Sequence, residues 1–406
     1  MSLAATHAIL TAPLNRQSVE GELTHIADWW VKHSVDHANG GFYGEIDFVA
    51  QPLSEANKGV ILNSRILWFF SEMALKDDSA QYKTLAIRAF EYLLAHFDDK
   101  EHGGAYWEVA FDGRLLQGKK QTYAQCFCIY ALCSYFRLTA DPLALEKAVS
   151  YFNLVEQNAR DVTCGGYIEA CSEDWSSISD YRLSDKDLNF PKSMNTHLHV
   201  LEAYSALYQV HKTAQTEEAL RHIIDVFQFH IICHKSAHLK LFFDMQWRDQ
   251  SQTYSFGHDI EASWLLWESA CVLGDKRVMG KLKPIIIDLA RACLDEAIGD
   301  AGQVCDEFIF SSRKRVSTSY WWVQAEALVG FMNAFALTKD EKYKAACQPI
   351  WAFIQQYHID SVHGEWHWLA SQDQDTDSRI YKAGFWKAPY HNGRAMMELQ
   401  RLLGQS

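Results

Sequence analysis

The sequence of 406 residues lacks the features that mark several common classes of protein. It has only seven prolines, no low-complexity tract and no run of about 18 apolar residues, so we expect a compact globular chain without a disordered tail or a membrane-spanning helix. Its formal net charge of −13 leaves no basic stripe for phosphates, which argues against nucleic acid or a membrane as a partner. Met1 to Leu14 lacks a basic region and a sustained apolar core, so we expect a cytoplasmic protein.

Several catalytic motifs are missing as well. The ten cysteines are scattered and include no Cys-x-x-Cys pair, so we expect buried thiols in a reducing compartment and neither zinc nor redox chemistry. There is no Gly-rich phosphate loop and no serine nucleophile elbow. The spacing of Asn195, His197 and His199 differs from the i, i+4 histidine pair that a helix offers to a metal, so we expect no metal site.

What the chain does contain is a large share of apolar and aromatic residues. Hydrophobic residues make up 48% of the sequence and aromatic residues 13%, with 14 tryptophans. Tryptophan offers a flat apolar face with a hydrogen-bonding edge, on which sugar rings stack, but packing in a large helical core explains the count equally well. The length does not force two domains, because closed barrels reach this size as one unit.

A repeat of about sixty residues runs along the chain. The motif Gly-Gly-Phe-Tyr-Gly-Glu-Ile-Asp at 40–47 is echoed from Gly103 and from Gly165, and more weakly from Gly364. Corresponding positions near Leu239 and Gly302 complete six units. Each unit turns through glycines that tolerate positive φ and continues into a short alternating segment suited to a small hairpin.

Between these turns lie paired helical patterns, one member amphipathic and the other apolar nearly all round. The predicted helices are 16–35, 57–76, 81–97, 119–138, 141–157, 192–212, 216–233, 255–273, 276–296, 316–336, 340–357 and 385–404. A helix that is apolar on every side has to be buried on every side. We therefore predict an all-α fold, an (α/α)6 barrel of twelve helices in two concentric rings with short β-hairpins in the loops, as a single domain over 1–406. An open solenoid also alternates, but its repeats are usually shorter and its concave face more polar.

The predicted inner helices share polar or aromatic side chains near their starts. These are Asn63, Ser64 and Arg65; Tyr123 and Gln125; Asn195, His197 and His199; His258 and Glu261; Trp321, Trp322, Gln324 and Glu326; and Trp386, His391, Asn392 and Arg394. In an inner ring that runs in one direction, these starts converge at one mouth of the barrel. Capping or packing explains any one cluster, so the functional argument depends on the convergence.

The clearest single pair is His258 and Glu261 in the segment 255–264. The two residues are three apart, so on a helix they share a face, and we expect the carboxylate to orient or charge the imidazole. A lone histidine is more often a packed or capping residue. Asp185 and Asp187, in the loop ahead of the third inner helix, are either substrate contacts or solvated carboxylates.

Five segments of the chain carry a resemblance to a known family: 58–69, 194–204, 255–264, 321–327 and 386–394. Together, and in order along almost the whole chain, they resemble the cellobiose 2-epimerases of the N-acylglucosamine 2-epimerase superfamily. The resemblance implies an (α/α)6 barrel, in agreement with the periodicity. It also implies epimerisation at C2 of the reducing-end sugar of β-1,4-linked disaccharides such as cellobiose, lactose or mannobiose, with no metal or nucleotide cofactor.

The same resemblance implies catalytic roles for five residues. His258 and His391 resemble the family's pair of acid/base histidines. Arg65 resembles its contact to a substrate oxygen. His199 and Glu261 resemble supporting groups that bind the sugar or orient a base.

Four further residues are implied to bind substrate. Tyr123 and Asn195 fall where the family lines its pocket, and Trp322 and Trp386 resemble the aromatic walls on which the sugar stacks. The chain departs from the family's pattern at 365–368, so His367 and Trp368 are left outside the predicted site.

Other functions stay open. A monosaccharide 2-epimerase or aldose–ketose isomerase of the same superfamily, of the mannose or N-acylglucosamine type, is the nearest alternative, although the 58–69 segment is of the disaccharide type. A glycoside hydrolase needs two carboxylates across the mouth, about 5 to 9.5 Å apart, for which Glu261 and Glu326 are the candidates. A third alternative is a sugar-binding barrel without catalysis. For the favoured function we expect an oligosaccharide substrate and a monomer or weak homodimer.

Overall fold

The computed structural model describes residues 12–374 and 380–404, and within them twelve α-helices form two concentric rings. The outer ring consists of Arg16–His33 (α1), Ala80–Tyr92 (α3), Pro142–Asn158 (α5), Ala214–Val226 (α7), Lys276–Glu296 (α9) and Glu341–Phe353 (α11). The inner ring consists of Val60–Asp77 (α2), Thr122–Thr139 (α4), Met194–Val210 (α6), Phe256–Leu273 (α8), Trp321–Thr338 (α10) and His391–Leu403 (α12). Three outer helices continue into π-helical turns at Leu93–Phe97, Phe227–Ile231 and Ile354–His358, and a 3-10 turn covers Ser371–Asp373.

Burial separates the two rings as the sequence pattern predicts. Thirteen of the 18 residues of α10 are buried, whereas α9 buries six of its 21. An apolar helix such as α10 is stable in water only when neighbours cover it on all sides, and an amphipathic helix such as α9 covers it with its one apolar face. The predicted (α/α)6 barrel is confirmed.

The inner ring is closed. Each inner helix packs against the next, from α2 through α4, α6, α8 and α10 to α12. Where α12 meets α2, a Cβ on Gly393 would lie 2.6 Å from Cε2 of Phe69, so glycine is needed for the close approach. Nη1 of Arg65 on α2 also donates to the backbone carbonyl of Trp386, ahead of α12, at 2.8 Å. Closure brings the first and the last inner helix to the same mouth.

The strands are short and lie in the loops, as predicted. They are Lys58–Gly59 (β1), Glu108–Val109 (β2), Leu115–Gln117 (β3), Lys120–Gln121 (β4), Ala170–Cys171 (β5), Lys192–Ser193 (β6), Ile232–Cys233 (β7), His238–Leu239 (β8), Phe242–Phe243 (β9), Thr253–Ser255 (β10), Glu307–Ile309 (β11) and Lys314–Val316 (β12). All pairs are antiparallel, in two three-stranded sheets, β1-β2-β3 and β10-β11-β12, and three pairs, β4-β5, β6-β9 and β7-β8.

The six predicted turns are present, one after each outer helix. Each is closed by an antiparallel bridge: Val35 with Phe42, Asp98 with Ala105, Arg160 with Tyr167, Ile232 with Leu239, Ile298 with Val304 and Ile359 with Trp366. The glycine pairs of the three strongest echoes all have positive φ, for example 74° and 77° at Gly103 and Gly104. A residue with a Cβ is strained in that conformation, which explains why these positions carry glycine.

The predicted starts of the inner helices are one to six residues too early. The residues immediately ahead of most inner helices belong to strands, such as Lys120–Gln121 before α4 and Lys192–Ser193 before α6. The largest error is at α12, predicted from residue 385, because the segment before His391 is apolar like a helix but forms an irregular turn. Trp386 therefore lies in a loop rather than in the first turn of a helix.

Four buried ion pairs connect the turns to the inner ring, and we call them the Asp–Lys clamps. They join Asp36 to Lys58, Asp99 to Lys120, Asp161 to Lys192 and Asp360 to Lys382, with N–O distances of 2.6 to 2.9 Å. Each aspartate directly follows the bridge residue at the start of its turn, and the first three lysines stand two residues before an inner helix. The sequence analysis did not identify this repeated pair.

The clamp of Asp99 and Lys120 shows how a buried pair is satisfied. One oxygen of Asp99 accepts from the backbone N–H groups of Glu101 and His102, and the other accepts from Lys120 Nζ at 2.6 Å. Burial disfavours the charged carboxylate, but these three donors lower the pKa of Asp99 below its ordinary value. Lys120 Nζ also lies 4.6 Å from the ring centre of Tyr106, a favourable position for a cation.

Two expectations reach beyond the described residues. The stretch Met1 to Leu14 lies mostly outside them, and the single domain over 1–406 stays a prediction. None of the helices in 12–374 and 380–404 combines the length and the apolar character needed to cross a membrane.

Breaking one clamp tests its contribution to stability. In Lys120→Met the buried carboxylate of Asp99 keeps no cationic partner, so we expect the free energy of unfolding to fall by about 3 to 5 kcal/mol. The measurement is urea denaturation followed by circular dichroism. The control is Lys76→Met, whose partner Asp77 is exposed, and a loss below about 1 kcal/mol is expected there.

The double variant Lys120→Met with Asp99→Asn removes the buried charge together with its partner. It should recover part of the stability lost by Lys120→Met alone, because the asparagine oxygen can still accept the two backbone N–H groups. Equal losses for Lys120→Met and Lys76→Met would contradict a structural role for the clamp.

Candidate active site

All nine residues assigned to the site from sequence line one cavity of about 400 Å³ at the mouth where the inner helices begin. They are Arg65, Tyr123, Asn195, His199, His258, Glu261, Trp322, Trp386 and His391. Asp185 and Asp187 line it too, from the loop ahead of α6. The volume is in the range of small-molecule sites. The predicted convergence of the inner-helix starts is confirmed.

His391 begins α12 and is held by a carboxylate. Its Nδ1 lies 2.7 Å from Oε1 of Glu326 on α10. When Glu326 is ionised its carboxylate only accepts hydrogen bonds, so Nδ1 then carries the proton and Nε2 is the basic nitrogen. Burial, together with the charges of Arg65 and Arg394, holds the pKa of His391 well below its ordinary value. The imidazole is therefore neutral and able to accept a proton.

His258 has a different partner from the one predicted. Its Nδ1 lies 2.7 Å from Oγ of Ser255, the residue before α8, whereas Glu261 is bound by Arg394 at 2.7 Å. The helical spacing does place Glu261 on the same side of α8, but an oxygen of Glu261 accepts from the charged guanidinium of Arg394, and a hydrogen bond from a charged donor is stronger than one from a neutral imidazole. Burial lowers the pKa of His258 to about 3, so this histidine is also neutral.

His199 lies on α6 between two aromatic rings. Its Nδ1 is 3.0 Å from Oε2 of Glu202, and its ring centre is 4.7 Å from that of Tyr123 and 4.6 Å from that of Phe127. Burial lowers the pKa of His199, with an opposing contribution from Glu202. The carboxylate partner leaves Nε2 of His199 free to accept a hydrogen bond, as in His391.

Arg65 is held by two hydrogen bonds, one to a residue of α4 and one to the loop ahead of α12. Nη2 donates to the hydroxyl of Tyr123 at 2.8 Å and Nη1 to the carbonyl of Trp386 at 2.8 Å. The guanidinium lies 4.3 Å from the ring centre of Phe127 and 4.7 Å from that of Tyr390. Arginine remains charged at any physiological pH, so Arg65 is a permanent donor that cannot act as a base.

Trp322 contacts both of the predicted acid/base histidines. Its ring centre is 4.7 Å from that of His258 and 5.6 Å from that of His391. Gly257 makes the approach possible, because a Cβ there would lie 2.6 Å from Cη2 of Trp322. The indole thus forms a wall of the cavity beside the two bases.

Trp368 was left outside the predicted site, and the structure places it within the cavity lining. Its ring packs on Trp321 at 4.4 Å between centres, and both indoles line the cavity together with Trp386. His367 is oriented differently, with Nε2 3.7 Å from Asp360 and no place in the lining. The two tryptophans at 366 and 368 were the feature of the sequence that could have indicated a place for Trp368 in the cavity lining.

Arg394 connects three buried carboxylates. The sequence placed it at the start of an inner helix but predicted no role for it in the site. Its guanidinium binds three glutamates, Glu202, Glu261 and Glu326, which we call the carboxylate cluster. The cluster in turn binds the Nδ1 atoms of His199 and His391. A buried guanidinium requires such partners, because an unpaired buried charge is very unfavourable. Glu202 lies two turns into α6, where the pattern of helix starts gave no signal.

The cluster places three carboxyl groups around one guanidinium, and the pKa values of these carboxyl groups differ. Arg394, His199 and Tyr390 lower the pKa of Glu202 to about 2 against the effect of burial. Burial and the neighbouring Glu326 raise the pKa of Glu261 to about 8. Burial raises the pKa of Glu326 as well, so the neutral form is favoured for the pair Glu261 and Glu326, whereas the ionised form is favoured for Glu202.

The arrangement does not favour a metal ion. Glu261, Glu326 and His391 offer ligand atoms within 4.8 Å of one another. However, Nη2 of Arg394 already donates to both carboxylates at 2.7 Å, so a divalent cation would lie beside a fixed positive charge. His197 uses both ring nitrogens elsewhere, on the Ser193 carbonyl and the backbone N–H of residue 167.

Neutral, well-oriented histidines in a cavity with aromatic walls and a fixed arginine are suited to moving protons on a sugar-sized molecule, the chemistry of carbohydrate epimerases and isomerases. Comparison with known families agrees. The model of the N-acylglucosamine 2-epimerase (GlcNAc 2-epimerase) family matches residues 41–395, and the chain belongs to this family.

Individual relatives lie within the group that the five sequence segments resemble. A cellobiose 2-epimerase from Bacteroides fragilis is 42% identical over 386 residues, covering 95% of this chain and 98% of that protein. One from Ruminococcus albus is 35% identical over 94% of this chain and 97% of its own. The structure of cellobiose 2-epimerase from Bacillus thermoamylovorans matches with a TM-score of 0.90 at 35% identity, over 95% of this chain and 98% of that one.

The proton on Glu261 makes a testable contribution to stability. Its pKa is near 4.5 in the unfolded chain and about 8 in the folded protein, so its favourable contribution is complete below pH 4.5 and is lost as the pH rises to about 8. Glu261→Gln does not titrate. Relative to the wild type, the free energy of unfolding of this variant should therefore increase as the pH rises from about 5 to 8, measured by urea denaturation at each pH.

The control for this pH series is Glu20→Gln, at an exposed position on α1. Its difference from the wild type should stay constant over the same range. A constant difference for Glu261→Gln as well would mean that the folded protein carries Glu261 ionised at neutral pH.

Proposed function

We propose that the protein is a cellobiose 2-epimerase, which interconverts glucose and mannose at the reducing end of β-1,4-linked disaccharides. The observation that carries the proposal is the pair of neutral histidines, His258 and His391, which line one cavity and have separate Nδ1 partners. The two relatives described above, which are 42% and 35% identical to this chain over almost its full length, are named cellobiose 2-epimerase.

The reaction begins with opening of the sugar ring: one histidine takes the proton of the anomeric hydroxyl on Nε2, and the imidazolium that forms returns a proton to the ring oxygen. The proton on C2 of the open aldose is only weakly acidic, so its removal needs a positioned base and a donor for the enediolate oxygen. A neutral imidazole is the base. Arg65 is placed to donate to O1 or O2, because its guanidinium is permanently charged and lines the same cavity.

Inversion at C2 requires the proton to return on the opposite face of a cis-enediolate. Two histidines from different inner helices, α8 and α12, meet this requirement when one removes the proton with a free Nε2 and the other, which has to hold a proton on its Nε2 at that stage, delivers it. The indole of Trp322 contacts both rings and provides an apolar face for the sugar between them. His199 is the reserve candidate if one of the two proves dispensable.

The glycoside hydrolase alternative loses support from the position of its two candidate carboxylates. Glu261 and Glu326 accept from the same nitrogen of Arg394, so they lie side by side rather than across the cavity from one another. A hydrolase needs one carboxylate on each side of the scissile bond. A barrel that only binds sugar has no need of two oriented histidines. The alternative whose chemistry is closest to the proposed reaction is a monosaccharide epimerase or isomerase.

Purified protein incubated with cellobiose or lactose in the presence of EDTA should produce the C2 epimer, detected by chromatography against authentic standards. Glucose, mannose and N-acetylmannosamine serve as parallel substrates that distinguish a monosaccharide enzyme. Release of free glucose from cellobiose would favour a hydrolase. Failure to convert any β-1,4-linked disaccharide would reject the disaccharide assignment.

Replacement of either acid/base histidine should remove nearly all activity. His258→Asn and His391→Asn are each expected to lower kcat by about 10²- to 10⁴-fold, since a two-base reaction stops when either step stops, and the double variant should lose little more. His37→Asn, at an exposed position, is the matched control. Losses below about tenfold for both variants would contradict the two-base assignment.

Deuterium exchange from D₂O identifies the histidine that serves each face. The variant that retains the abstracting base for a given epimer should incorporate deuterium at C2 of recovered substrate, and the other variant should not. Changing from the glucose-ended to the mannose-ended substrate should reverse this behaviour. The same variant exchanging both epimers would contradict a separate base for each face.

A further inference from the structure

Ser255 stands at a helix start but does not stabilise the helix in the usual way. It is the N-cap residue of α8, and its side chain makes no capping hydrogen bond there. Ser193, the corresponding residue of α6, accepts from the backbone N–H of Thr196 at 3.2 Å. A serine cap normally contributes to helix stability, so α8 gives up that contribution. The hydroxyl of Ser255 is instead 2.7 Å from Nδ1 of His258.

The type of partner separates His258 from the other two histidines of the cavity. His199 and His391 each have a glutamate at Nδ1, which accepts and so fixes the proton on that nitrogen. A hydroxyl both donates and accepts. Ser255 can therefore support His258 in either neutral tautomer, with the proton on Nδ1 or on Nε2.

Ser255 also faces a second cavity, which we call the side chamber. It has a volume of about 300 Å³ and is lined by Ser255, Thr253, Glu307 and the segment 181–183. His258 lines both the side chamber and the substrate cavity. Two further lining residues, Lys186 and Gln252, are exposed, so the side chamber reaches the protein surface. At about 30 Å³ per molecule it has room for several waters.

We propose that Ser255 is a positioning residue that lets His258 change between its two neutral tautomers by exchanging its Nδ1 proton with the side chamber. The inference rests on the proposed epimerase function. After His258 takes the C2 proton on Nε2, the electron pair of the C–H bond stays in the enediolate and the imidazole is charged. The Nδ1 proton then passes to Oγ of Ser255 while the serine hydroxyl proton passes to water, which leaves His258 neutral.

This route matters because each turnover changes the protonation of both histidines. The histidine that removes a proton gains a positive charge, the histidine that delivers a proton has to carry one on Nε2 beforehand, and both must return to their starting states. Ser255 lines the side chamber and is not part of the lining of the substrate cavity that the two histidines share, so waters in the side chamber can contact its hydroxyl. His258 can thus return to the neutral state through Ser255, now with its proton on Nε2 and ready to deliver it, whereas the Nδ1 proton of His391 stays in its hydrogen bond to Glu326.

The first test needs no substrate. In protein labelled with ¹⁵N-histidine, with the His258 signals assigned by their loss in His258→Asn, the nitrogen shifts of His258 should report both tautomers and those of His391 only the Nδ1–H form. Ser255→Ala should move His258 towards a single tautomer, and Ser255→Thr, which keeps the hydroxyl, should resemble the wild type. Ser79→Ala, which removes the serine cap of the outer helix α3, should leave the His258 signals unchanged.

The second test is kinetic. Ser255→Ala should lower kcat for epimerisation at least about tenfold with KM within about twofold, because the loss affects a proton step rather than sugar binding, and Ser255→Thr should restore kcat. Ser79→Ala should alter neither constant. The proposal is overturned if His258 shows only the Nδ1–H tautomer in the wild type, or if Ser255→Ala changes neither the His258 signals nor kcat.

The two tests separate this proposal from the proposed function. If the wild type epimerises no disaccharide, the epimerase assignment and the catalytic part of the proposal fail together. The tautomer measurement still decides whether Ser255 controls the protonation of His258.

Discussion

The site depends on one buried positive charge, the guanidinium of Arg394. Its 4% exposed side chain lies between the rings of Tyr390 and Trp264 and binds the three glutamates of the carboxylate cluster. Without it, the cluster would have no counter-charge in a region where water cannot compensate. Because the cluster orients His199 and His391, the position of α12 fixes the geometry of groups on α6, α8 and α10. The active site therefore requires a closed ring, and the final helix completes it.

The Asp–Lys clamps explain how the rest of the mouth is held without a large sheet. Each clamp ties the turn after an outer helix to the residues ahead of an inner helix, as Asp161 does with Lys192 before α6. Nine of the side chains that line the cavity then project from the first two turns of rigid helices, and the others come from the loops at 183–187, Trp368 and Trp386. Loops alone would leave such side chains more mobile, whereas proton transfer requires donor and acceptor to be held within hydrogen-bond distance.

Periodic features of the sequence were sufficient for the fold, but not for the full lining of the cavity or for its internal pairing. Helix period and glycine turns repeat six times, so each unit supports the others. The inner-helix starts indicated where the cavity lies and the family resemblance selected nine lining residues, but Trp368 was left out. Pairing depends on side chains that are distant in sequence. Glu261 has both His258, three residues away, and Arg394, 133 residues away, as possible partners, and the distant guanidinium binds it. Local spacing does not contain that competition. Glu202 and Ser255 each lie three residues from the histidine that they bind, but the same spacing separates His258 from Glu261, which do not pair, so spacing alone did not identify the partners.

The base strength of the site follows from charge balance rather than from histidine alone. Three ionised glutamates beside His391 would stabilise the imidazolium and raise its pKa, which would remove the base. Three features oppose this effect: the burial of His391, the positive charges of Arg65 and Arg394 around it, and the raised pKa of Glu261. Burial also lowers the pKa of His258, whose Nδ1 partner is the uncharged Ser255. Because His391 is hydrogen-bonded to the carboxylate cluster and His258 is not, a change in the cluster should affect His391 more than His258.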